Sequence, residues 1–142
     1  MNKIFKLIVL IYFFIFSVNL ALSAENFFEE ALKMYQDKEY DDARFMLERN
    51  IVFNPKDAKS YLYLAKIFKS EENEKEHIKN IRTTLLLEPD NEEAMYMLIN
   101  YEIKKSNYSQ VKELKESFLT ICKSLCDKKG EIEESLKDIE VE

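Results

Sequence analysis

The run Ala31-Leu32-Lys33-Met34-Tyr35-Gln36-Asp37-Lys38-Glu39-Tyr40-Asp41-Asp42-Ala43 changes character twice. Ala31, Leu32 and Tyr35 stand at helical spacing, Asp37-Lys38-Glu39 is a polar break, and Tyr40, Ala43, Leu47 and Ile51 open a second periodic stripe. Apolar residues three and four apart line one face of a helix. The run therefore reads as the end of one helix, a tight turn and the start of another. Ala31 and Ala43 are small enough to let the two helix axes approach closely, with the aromatic residues filling the space beside them.

The same chemistry returns further along. Asn54-Pro55-Lys56-Asp57 and Glu88-Pro89-Asp90-Asn91 are chain breaks whose prolines lie 34 residues apart. Aligning 24–57, 58–91 and 92–125 puts Phe27, Tyr61 and Met95 in one register, then Ala31, Ala65 and Ile99, then Tyr40, Glu74 and Tyr108, then Ala43, His77 and Val111. Each segment has a polar break in its middle: Asp37-Lys38-Glu39, Glu71-Glu72-Asn73 and Lys105-Ser106-Asn107. A two-helix unit cannot bury both stripes alone and needs a neighbour, which is why such units recur.

A 34-residue helix–turn–helix with a terminal Pro resembles the tetratricopeptide repeat family, and the run from Ala31 to Ala43 is similar to that family's usual sequence. The resemblance covers residues 25–125 and implies an all-α fold, a right-handed α-solenoid of about three repeats (24–57, 58–91, 92–125). Glu30, Lys38 and His77 depart from the usual Leu, Gly and Ala, and the third segment lacks a closing Pro. Its second helix is accordingly expected to run longer, from Tyr108 towards Cys126 with Val111, Leu114, Phe118, Ile121 and Leu125 on its stripe. Gly130, the one glycine, is expected to break it. Residues 126–142 then form a capping helix and tail, with Ile132, Leu136 and Ile139 on one face and acids on the other. Seven helices are expected after the N-terminal segment.

Composition agrees. One Gly and two Pro in 142 residues disfavour an all-β chain, which needs frequent turns, and 18 Phe and Tyr supply a core. Residues 1–24 read as a signal peptide: Lys3 and Lys6, an apolar run from Leu7 to Phe16, then small and polar residues through Ser23 and Ala24. Cleavage could follow Ser23 or Ala24. The 16 residues from Leu7 to Leu22 fall short of a bilayer span of roughly 20. An uncleaved inner-membrane anchor and a buried first helix are the alternatives. The expected location is exported, periplasmic or secreted. Without residues 1–24, 19 basic and 27 acidic residues remain, a net charge of −8 that repels phosphate and makes nucleic acid a poor partner.

The chemistry-bearing residues are few. His77 is the only histidine, at a helix-packing place, and two cysteines do not make a zinc site. A single glycine leaves no phosphate-cradling loop. No enzyme activity, metal or cofactor is expected, and the paired acids read as helix-start charges and solvated faces. Cys122 and Cys126 share one helix face, with Cβ atoms somewhat beyond the roughly 3.5–4.5 Å a bridge prefers unless the last turn loosens. A disulfide, two reduced core residues and a thiol–disulfide exchange pair are the three readings, although the spacing is not Cys-x-x-Cys.

The family resemblance implies a protein-binding scaffold whose first helices line a concave groove. Carried over, the groove places are Phe28, Leu32 and Tyr35, then Leu62, Lys66 and Lys69, then Tyr96, Asn100 and Ile103. The family's clamp for a chaperone's C-terminal carboxylate is not matched. Phe28, Leu32 and Tyr63 stand at its Lys and Asn places, and Glu93 and Met97 replace its later basic pair. The expected partner is a protein of the cell envelope. A membrane-tethered assembly factor is the alternative if residues 1–24 are retained, and self-association through the same stripes is another.

Overall fold

The computed structural model of the protein describes residues 27–137; the expected signal segment 1–24 and the apolar Ile139 lie outside them. The described residues are helical and contain no strand: α1 over 27–36, α2 (Tyr40–Phe53), α3 (Ala58–Ser70), α4 (Glu74–Leu87), α5 (Glu92–Lys104), α6 (Tyr108–Ile121), a 3₁₀ turn (Cys126–Lys128) and α7 (Lys129–Lys137). The chain divides into two compact units after Ser60, inside α3.

One turn is used three times. Lys38, Glu72 and Ser106 adopt left-handed backbone, with φ of 65°, 58° and 56°. At each, the next amide reaches back to the carbonyl five residues earlier: Glu39 to Met34, Asn73 to Phe68 and Asn107 to Glu102, each at 2.9 Å. The left-handed residue itself bonds the carbonyl three before, as Lys38 does to Tyr35 and Glu72 to Lys69. This is the Schellman closure of a helix end, which satisfies otherwise orphaned carbonyls and turns the chain sharply. The three polar breaks of the sequence are these turns.

In the first unit, Ala31, Ala43 and Leu47 are buried, and the Phe27 and Phe53 rings stack at 5.6 Å with the Arg49 guanidinium 4.3 Å from Phe27. Buried Asn50 ties α2 to the start of α3. Its Nδ2 donates to Asp57 at 2.8 Å and to the Ser60 hydroxyl at 2.9 Å, and Ser60 donates to Asp57 at 2.6 Å. Asp57 thus fixes the start of a helix that Pro55, two residues upstream, cannot join to α2.

The second unit packs neighbouring helices in chain order. Leu62 and Ala65 of α3, Ile81 of α4, and Ala94 and Met97 of α5 form one buried cluster. Met95 and Ile99 of α5, Val111 and Phe118 of α6, and Ile132 and Leu136 of α7 form another. Asn73 and Asn91 cap α4 and α5 by accepting from the amides of Glu76 and Ala94. His77, where the repeat pattern places Ala, is buried, and its Nδ1 lies 2.8 Å from the Ala65 carbonyl. A larger ring is accommodated there because its polar edge has a partner.

Two expectations need correcting. The second helix of the third segment is not longer than its counterparts: α6 has 14 residues, as α2 and α4 do, and it stops at Ile121. Nor does Gly130 end it; Gly130 lies in the first turn of α7. The break falls at Cys122, whose ψ of 140° turns the chain out of the helix. Cys122 and Cys126 are joined by a disulfide across a Cα separation of 5.3 Å. The amides of 123–125, freed from helical pairing, donate instead to Glu92, a residue no periodicity argument singles out.

Candidate functional site

The helical spacing of α3 and α5 sends one face of each into a shared cleft of the second unit. The cleft is an open cavity of about 640 Å³ between the end of α3, the start of α4 and α5. Its floor is Phe68 and Met97; Lys69, Glu72, Glu74, His77, Asn100, Tyr101 and Lys104 line the rest. A small apolar floor bordered by charged and amide groups suits a polypeptide segment, whose side chains need area and whose backbone needs hydrogen-bond partners.

The charges are arranged unevenly. Glu74 holds Lys105 at 2.6 Å and Lys104 at 3.2 Å. Those two hydrogen bonds, Lys105's first, hold its carboxyl below the ordinary range, while the same contact pushes the Lys105 ammonium up. Lys105 also lies 5.6 Å from the Tyr101 ring. Lys69 is exposed and has no ion pair among the described residues, whereas Lys104, also exposed, is paired with Glu74.

The nine groove places inferred from sequence separate. Phe28, Leu32 and Tyr35 belong to α1 in the first unit and are half-buried, with the Lys59 ammonium 6.0 Å from the Phe28 ring and Tyr35 beside Tyr40 at 5.6 Å. In the second unit, Lys69 and Asn100 line the cleft. Leu62 is only 7% exposed and sits in the packed cluster. Lys66 is held by Glu93 at 2.8 Å and lies 4.4 Å from the Tyr63 ring. Tyr96 and Ile103 pack on the cluster that α7 closes, and the Tyr96 hydroxyl donates to Glu131 at 2.7 Å. Burial, and then that hydrogen bond, raise the Tyr96 phenol above its usual value. Phe68, His77, Met97, Tyr101 and Lys104 line the cleft but were not among the nine groove places. Two of them carried a signal: His77 as a bulky residue where the family has a small one, and Met97 as the residue at a place of the family's clamp.

Among the described residues no three His, Cys, Asp or Glu gather to hold a metal, and no helix is long and apolar enough to cross a membrane.

No protein-family model matches the chain, and no curated protein matches its sequence. Solved structures do. The Yersinia enterocolitica type III secretion chaperone SycD, in complex with a peptide of the translocator YopD, aligns with a TM-score of 0.69 at 13% identity, over 84% of this chain and 93% of that one. The first TPR of Spaghetti (RPAP3), bound to the HSP90 peptide SRMEEVD, gives 0.71 at 12% identity, over 82% and 95%. The TPR2B domain of yeast Sti1, in complex with pHsp70, gives 0.67 at 17% identity, over 82% and 94%. At such identities the likeness is one of fold. Three Schellman turns at a 34-residue period and these likenesses together establish that the chain has the tetratricopeptide-repeat fold.

Proposed function

We propose that this chain is an exported, non-catalytic scaffold that holds a segment of a cell-envelope protein in the cleft between α3, α4 and α5. The observation that carries the reading is the cleft itself: an apolar floor of Phe68 and Met97, the Asn100 amide beside it, and the accessible Lys69 ammonium at its edge. Structures of the same fold that hold peptides, SycD and the RPAP3 domain, support a protein-binding role. Export rests on the sequence of residues 1–24, and the N-terminal residue of the purified protein separates a cleaved signal from a retained anchor.

The test is crosslinking capture in the native cell envelope, with the crosslinked sites read by mass spectrometry. The expected result is one recurrent partner linked at Lys69 or Lys104. The double variant Lys69→Glu, Asn100→Ala should lower capture by roughly ten-fold or more, since about 1.4 kcal/mol is a factor of ten, with unchanged thermal melting. Undiminished capture by the folded variant would move the partner site off this cleft.

Self-association is a second reading, favoured by Phe45 and Val52 of α2, which are 62% and 77% exposed one above the other on the first unit. Mass in solution decides it; a monomer at micromolar concentration removes it.

A further inference from the structure

The segment between α6 and α7 is held at both ends of a short loop. Its backbone amides converge on one side chain: the Glu92 carboxylate accepts from Lys123 N at 2.6 Å, from Ser124 N at 3.0 Å and from Leu125 N at 3.2 Å, and also from the Ser124 hydroxyl. Successive amides pointing into one concavity form an anion nest, here filled by a side chain of the protein itself. The Cys122–Cys126 disulfide encloses these three residues and fixes the ends of the loop.

The C-terminal elements depend on this loop. The 3₁₀ turn and α7 start directly after Leu125, and α7 has only nine residues, too few for a helix to persist by itself in water. Its anchors are Ile132 and Leu136 in the cluster with Met95 and Phe118, the Tyr96–Glu131 hydrogen bond, and the nest. Cys126 is exposed and Cys122 half-buried, so Cys126 is the end of the bridge nearer to solvent.

We propose that Cys122–Cys126 is a substrate for a dithiol reductant and that, with Glu92, it forms a redox latch on α7. The reductant's thiolate attacks the Cys126 sulfur; the Cys122–Cys126 bond breaks and Cys122 leaves as a thiolate that takes a proton. The reductant's second thiol then displaces Cys126, which is also protonated. The dithiol is oxidised to a disulfide by loss of two electrons and two protons, and the pair is reduced to two thiols. With the loop opened, the three amides no longer converge on Glu92, and α7 loses one of its anchors. The face of α5 and α6 carrying Met95, Val111 and Phe118 then becomes accessible. The latch does not depend on the cleft or on export.

The test is amide hydrogen exchange of the full chain, oxidised and then reduced with dithiothreitol, with free thiols counted. Reduction should speed exchange about ten-fold or more at 123–125 and across 132–136, while Ile67 and Ile81 keep their protection. Glu92→Gln in the oxidised protein should loosen the same residues, and its further reduction should add less than about two-fold, because the two halves act as one device. The proposal is overturned by unchanged α7 exchange with both thiols free, by uniform loss of protection across the unit, or by a bond that dithiothreitol does not reduce. It is equally overturned if Glu92→Gln leaves α7 as in the wild type. Should that variant not fold, the wild-type reduction decides alone.

Discussion

At the scale of single residues, strain and charge are placed with a regularity that can be measured. Glu72 at φ 58° occupies left-handed backbone, which costs a residue with a Cβ roughly 1–2 kcal/mol relative to glycine. Glycine gives back part of that through its freer unfolded chain, so Glu72→Gly should stabilise the protein by about 0.5–1 kcal/mol in chemical denaturation. A loss of stability would mean that Glu72 makes a contact worth more than the strain. Glu92 yields a pH prediction. The amide of Lys123, then the Ser124 hydroxyl and the other loop amides, hold its carboxyl at about 2, against an ordinary 4.5. A carboxyl depressed on folding contributes stability that is complete above the ordinary value and is lost as pH falls through the folded one. Exchange at 123–125 and in α7, corrected for its intrinsic pH dependence, should therefore rise as pH is lowered from 4.5 towards 2. Glu131, lowered by its bonds to Tyr96 and Lys128, adds to the same acid response. Glu92→Gln should flatten most of that response without removing it.

At the scale of elements, each helix is set by local signals and held by the side chains it buries against its neighbours. The Schellman closures after α1, α3 and α5 need only residues within one turn of each other, which is why the polar breaks locate them. Packing is a different matter. Phe118 is fully buried, with its ring 6.1 Å from that of Tyr96, and joins α5, α6 and α7. Phe118→Ala removes that ring and leaves a cavity, a change that typically costs about 3–5 kcal/mol, and α7 should be the first element to lose protection. Differential exchange reads this directly; equal loosening in α3 would mean that the second unit unfolds as one piece.

At the scale of the molecule, a net charge of −8 outside the first 24 residues sets the background against which the unpaired Lys69 of the cleft acts. Because Glu74 occupies Lys104 and Lys105, and Glu93 occupies Lys66, the charge that an acidic segment would meet in the cleft is Lys69. An exposed contact of this kind is screened by salt. Partner capture should weaken between about 50 mM and 500 mM salt in the wild type and be less salt-dependent in Lys69→Glu. Identical salt profiles would show that Lys69 takes no part.

The sequence by itself determined the repeat: its period, the placing of the turns, the small residues between paired helices and the helical character of the described residues follow from interactions a few residues apart. The family resemblance that the repeat carries also pointed to Lys69 and Asn100. Only the tertiary structure decided that Leu62 is packed away, that Tyr96 and Ile103 serve the contact with α7, and that α6 stops at Ile121. The physical reason is range. Whether a half-apolar face meets solvent or another helix, and which carboxylate captures the amides of 123–125, depend on residues some thirty positions away, a pairing that periodicity does not encode.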